Sequence, residues 1–222
     1  MGGRGGISFS SKNTSGGIQN ASRLDEFAVA DLNTHNAKGA SMDTAIVKFY
    51  MKTRNEKKEY SAYIDNNGYV HALASSGKEG KTGVIPASKL KNEKGKETVI
   101  HNHPHGGSRK YGGPLSSADY TYIAAAYIQT KGQVKQIIAT SNEGVYRARV
   151  VRKPSVTSVK AAAKRAETKT ASKKYSSEKA LWKAYNDNSA KELLKQGIVV
   201  TFTPFNHKSS DKLVTQKIRT GV

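Results

Sequence analysis

The chain has 222 residues, with 37 Lys and Arg against 17 Asp and Glu for a formal charge of +20, and no cysteine. That length allows one good-sized domain with appendages or two small ones, and the charge points to an anionic partner, nucleic acid or an acidic protein surface, without separating an enzyme from a binding module. Lack of cysteine excludes disulfides, cysteine-ligated zinc and a thiol nucleophile, so a metal has to be held by His, Asp or Glu.

Residues 1–43 hold seven glycines in their first 40 positions among many Ser, Asn and Thr, a composition too polar to bury a core, and they read as flexible. Within them the apolar stretch from Leu24 to Leu32 reads as a short helix. The glycine-rich start lacks the apolar stretch of a secretory signal, and no run approaches the roughly 20 apolar residues that span a bilayer. A cytoplasmic protein is expected.

In TAIVKFYMK, Ala45, Val47, Phe49 and Met51 alternate with Ile46, Lys48 and Tyr50 at the period of a half-buried strand. EYSAYID (59–65) and YVHAL (69–73) flank the turn signal Asn66-Asn67-Gly68 and predict a hairpin. ETVIHNHP (97–104) is a further strand stopped by Pro104, followed by the glycine-rich loop HGGSRKYGGP. From Leu115 the pattern turns helical, with Ser116 as N-cap, Tyr120, Ile123, Ala124 and Tyr127 on one face, and Gly132 beyond the end. VKQIIAT (134–140) and VYRARVV (145–151) then pair across the turn Asn142-Glu143-Gly144. The order is β, ββ, β, α, ββ, an α/β domain over 44–151 with a mixed or largely antiparallel sheet.

Beyond Pro154 Ala and Lys dominate, and residues 151–222 carry 16 Lys and Arg against 5 Asp and Glu. Residues 152–222 read as a basic, mostly helical region. Its amphipathic helix, about 177–196, has the stripe Leu181, Trp182, Tyr185, Leu193 and Leu194 and is stopped by Gly197. IVVTFTPF (198–205) closes it as a short strand.

His101, His103 and His105, half of the chain's six histidines, crowd into five positions. Residues two apart on a strand face the same way, so His101 and His103 present their imidazoles side by side, as a bidentate metal site requires. A catalytic zinc takes three protein ligands and leaves a position open. Asp119, in the first turn of the predicted helix, supplies the third if that turn packs over the end of the strand, and Ser116 then stands beside the open position. Ser-x-x-Asp ahead of an apolar helical run is also a capping arrangement.

HNHPHGG followed by LSSADY resembles the JAMM (JAB/MPN) metalloprotease motif, and the HNHP spelling is most similar to RadC-like and phage-associated members. The resemblance covers about half of the chain. It implies a cytidine-deaminase-like mixed sheet with flanking helices, zinc held by His101, His103 and Asp119, and Ser116 steadying the oxyanion. It also implies an upstream glutamate as general acid and base, Glu59 at the head of its strand, with Glu56 as the alternative. The implied reaction is hydrolysis of peptide or isopeptide bonds, with a peptide, a ubiquitin-like protein, a capsid protein or a host conjugate as substrate. The family's usual spacer is shorter than the twelve residues, Pro104 to Leu115, that stand here. GGRGG at the start is similar to the openings of phage minor head proteins, implying a phage or mobile-element origin in a bacterial cytoplasm or a virion. The competing expectation is a non-catalytic JAMM-like scaffold that binds nucleic acid or virion components through its basic region, where Lys164, Arg165, Lys169, Lys173 and Lys174 fall close together.

Overall fold

The structure, a computed structural model, describes residues 23–24, 42–65, 70–75, 90, 96–104, 112–208 and 212–215. The order opens with β1 (Arg23–Leu24) and helix α1 (Met42–Thr53). The hairpin β2 (Tyr60–Asp65) and β3 (Val70–Ser75), β4 (Lys96–Asn102), α2 (Ser117–Gln129), β5 (Gln136–Ser141) and β6 (Gly144–Val150) follow. Helices α3 (Val156–Ala171) and α4 (Glu178–Leu194) and strands β7 (Ile198–Lys208) and β8 (Lys212–Thr215) complete it. The strands lie in the order β1-β3-β2-β4-β5-β6-β7-β8. β4 and β5 are parallel, joined by a crossover through α2, and every other pair is antiparallel. The protein is thus a mixed α/β structure with a mixed sheet. Among the described residues no helix is long and apolar enough to cross a membrane.

Each face of the sheet carries its own core. Ala62, Ile64, Ile100, Ile138 and Val145 pack with Ala45, Ile46, Phe49 and Tyr50 of α1. Val99, Ile137, Ala139, Tyr146 and Ala148, which alternate with them, pack with α2, α3 and α4. The strand predicted over TAIVKFYMK is therefore wrong: the segment is α1. Its buried residues are Ala45, Ile46, Phe49, Tyr50 and Thr53, spaced at helical intervals, while Met51 is exposed. Apolar residues stand at both odd and even positions, so the alternation carried little information, and tertiary packing selected the helix. Of Leu24 to Leu32 only Leu24 is described, and it lies in a strand, not a helix. The rest of that stretch, the turn at 66–69, and the loop at 105–111 with His105 fall outside the described residues.

The change in composition near residue 151 does not coincide with a break in packing. β7 pairs with β6 from Ile198 to Pro204, and Val159, Ala162, Ala163, Ala166, Tyr185 and Leu193 belong to the same buried cluster as α2. The small alanines of α3 let the helices approach closely, and the lysines stay outside. Ser155 and Ser177 cap α3 and α4, each accepting from the backbone amide three residues on. Leu194, predicted on the buried stripe, is exposed, one position round the helix from buried Leu193.

Part of the positive charge is matched locally. Glu192, buried on α4, accepts from Lys169 and from Arg165 Nε at 2.9 Å, with Lys195 Nζ 3.7 Å away. The Lys169 hydrogen bond first, then that of Arg165, holds the Glu192 carboxyl down to about 2. A folded-state value below the unfolded one means stability that is present above about pH 5 and lost as pH falls towards 2. Because the cations keep about half of their side chains in solvent, screening limits the pairs to about 1 kcal/mol each. Glu192→Gln is expected to lower unfolding free energy at pH 7 by about 1–2 kcal/mol and to match wild type near pH 2, as urea denaturation at the two pH values will report.

Candidate metal centre

β4 ends where α2 begins, and the crossover brings the carboxyl end of the strand against the amino end of the helix, the place where open α/β sheets form their crevices. His101 lies in β4 opposite Ala139 of β5. His103 lies just past the strand, but its backbone amide donates to the Thr140 carbonyl at 2.8 Å, so the chain keeps its course and both rings face the α2 side. Their Nε2 atoms are 3.0 Å apart. Asp119 Oδ1 is 3.4 Å from His101 Nε2, and Oδ2 is 3.9 Å from His103 Nε2. His101 and Asp119 are buried and His103 is partly so.

These separations fit a metal ion. Ligand atoms about 2.0–2.1 Å from a tetrahedral ion lie roughly 3.3 Å from one another; the 3.0 and 3.4 Å separations lie within a few tenths of an ångström of that, and the 3.9 Å one is longer. Two imidazole nitrogens at 3.0 Å repel through their lone pairs unless a proton or cation lies between them. His103 Nδ1 is 2.8 Å from the Gly113 carbonyl, a contact that places the ring proton there and leaves Nε2 as the free donor atom. Burial pulls the His101 imidazole down to about 4, against the Asp119 carboxylate, which works the other way. His101 is therefore neutral at pH 7, the form that binds metal. His101, His103 and Asp119 together can hold a metal ion, and among the described residues no other such group of His and acidic side chains occurs.

The capping and ligand readings of Asp119 turn out to be compatible. Ser116 is the N-cap of α2, and the box is complete. Asp119 Oδ2 accepts from the Ser116 amide at 2.7 Å and from Ser116 Oγ at 2.8 Å, which leaves Oδ1 facing His101. Cap and donor group use different oxygens of one carboxylate. Ser116 is exposed beside this group, its hydroxyl engaged with Asp119.

Glu59 immediately precedes β2. It stands two residues before Ser61, which pairs with His101 across β2 and β4. Glu56 is exposed in the turn after α1, its amide donating to Thr53.

Four residues of this region were given no role by the motif. Gly113 supplies the carbonyl to His103, and at its φ of +82° a side chain would be strained. A Cβ at Gly112 would stand 2.3 Å from the His103 carbonyl oxygen, so the end of the glycine-rich loop has to be glycine to lie this close. Trp182 of α4 packs its ring against Gly113, 3.2 Å from where a Cβ would be. Asn102, between the histidines, points to the other face. The available signals were a lone tryptophan on an apolar stripe and the paired glycines at the loop's end, neither of which names a partner. No family model matches the chain, and neither the curated proteins nor the solved structures contain a match to it.

Proposed function

We propose that the protein is a zinc-dependent hydrolase of peptide or isopeptide bonds, of the JAMM type. The observation that carries this reading is the group of His101, His103 and Asp119, whose ligand atoms lie within 4.8 Å of one another at the end of β4, in the sequence order that the motif prescribes. Zinc, when bound, supplies Lewis acidity towards the scissile carbonyl and acidifies water to a pKa of about 7. His101, His103 and the Oδ1 of Asp119 would hold the ion. The Glu59 carboxylate takes a proton from water and returns it to the leaving amine as the C–N bond breaks. Ser116 donates its hydroxyl hydrogen to the developing oxyanion by turning it away from Asp119 Oδ2, which keeps the Ser116 amide as a donor. The implied setting is a bacterial cytoplasm or a phage particle, with a peptide, ubiquitin-like or capsid substrate.

Glu59→Gln is expected to retain zinc and to lose about 10²–10⁴-fold in kcat, measured on quenched fluorescent peptides selected from a library with the wild-type protein. Glu56→Gln is expected to behave as wild type. Full activity in Glu59→Gln contradicts the assignment.

The scaffold reading draws on the exposed lysines of α3 and α4, which in the present reading serve to dock an anionic partner such as nucleic acid. Arg165 and Lys169 are turned onto Glu192 and Lys164 onto Glu167 at 3.2 Å, which leaves less free charge there than the sequence suggests.

A further inference from the structure

We infer that Asn102 is a positioning residue that sets Glu59 against the metal group, an inference that rests on the function proposed above. Asn102 is buried, 2% exposed, and its side chain lies on the face of the sheet opposite the two imidazoles. Its amide reaches both sides of Glu59: Oδ1 accepts from the Tyr60 backbone N–H at 2.6 Å, and Nδ2 donates to the Lys58 carbonyl at 3.1 Å. Nδ2 also lies 3.4 Å from the carbonyl of Thr53 at the end of α1, where helix carbonyls lack intrahelical partners.

β2 and β4 form a ladder only as far as Ser61 and His101. Beyond that pair the chain entering β2 is held to β4 by the Asn102 side chain, which takes the place of the next backbone bonds. Only a primary amide does this in one side chain, accepting from an N–H while donating to two carbonyls. The histidines are held differently, by the backbone of β5 and by Gly113. Asn102 therefore governs where Glu59 sits without governing whether the metal is held. A proton-transfer group displaced by an ångström loses much of its effect while ligation persists.

The experiment uses Asn102→Ala and Asn102→Asp in the full chain. Aspartate keeps the acceptor for Tyr60 but sets an oxygen against the Lys58 and Thr53 carbonyls. Zinc affinity is read by chelator competition, Tyr60 amide protection by hydrogen exchange, and kcat and KM with the peptide that wild type cleaves. Both variants are expected to bind zinc within about threefold of wild type and to lose about 10–100-fold in kcat with KM nearly unchanged. Asn102→Ala also loses Tyr60 protection. In a Glu59→Gln background Asn102→Ala is expected to cost almost nothing more, because the residue it positions is already disabled. An additive loss in that double variant, or zinc affinity falling in step with kcat, overturns the inference while leaving the proposed reaction intact. Full activity in Glu59→Gln alone removes both the assignment of Glu59 and the role given to Asn102.

Discussion

Asp119→Asn is expected to fold as wild type does and to bind zinc about 100-fold more weakly or worse. The two jobs of Asp119 fall on different oxygens, so they separate by mutation. Asparagine's carbonyl oxygen still accepts from the Ser116 amide, the contact that Oδ2 makes at 2.7 Å, and the cap survives. What disappears is the negative charge and the second carboxylate oxygen beside His101. Outer contacts to metal ligands are each worth about 10–100-fold in affinity, so losing a ligand costs at least as much. Asp119→Ala removes both roles and adds a loss of about 1 kcal/mol in stability from half of the capping box. Metal analysis and chelator competition beside urea denaturation of the zinc-free proteins distinguish the two. Equal zinc content in Asp119→Asn and wild type contradicts the ligand set.

The second large effect comes from a helix that the sequence places outside the chemistry. Trp182→Ala is expected to lower stability by about 3–5 kcal/mol, the usual range for emptying a buried aromatic site, and zinc affinity by about 10–100-fold. Trp182 is 6% exposed, and its ring supports Gly113, whose carbonyl orients the His103 ring. Without the ring, Gly113 has nothing beneath it and His103 loses its fixed tautomer. Trp182→Phe keeps most of the volume, and because Nε1 is buried without a hydrogen-bond partner, it gives up no polar contact. Its zinc affinity is expected to stay within a few-fold of wild type. Titration of zinc into both variants under conditions where both are folded checks this, and unchanged affinity in Trp182→Ala contradicts the support assigned to the ring.

That His101, His103 and Asp119 come together as a group that could hold a metal was legible because the spacing that brings them together is local. His101 and His103 need only a strand period to face together, and Ser116 and Asp119 need only a helix start. Packing one element onto the other closes the group, and the β4–α2–β5 crossover does so. The strands flanking that crossover were read correctly, since their alternation was strong and their turns distinct.

What failed or stayed hidden depends on long-range contacts. Residues 45–51 are apolar on both registers, so only the sheet face they cover decides that they form a helix. Composition near 151 counts Lys164 and Lys169 but is blind to Ala162, Ala163 and Ala166 beneath them, which share the buried cluster of α2. Asn102 and Gly113 act through amide and carbonyl contacts made 42 and 10 residues away, and no spacing rule announces those.

Anomalous diffraction at the zinc edge from zinc-loaded crystals tests the central claim most directly. The account predicts one peak about 2.0–2.2 Å from Nε2 of His101, Nε2 of His103 and the Asp119 carboxylate, with no fourth protein ligand. A peak elsewhere, or a fourth side chain closing the site, contradicts it.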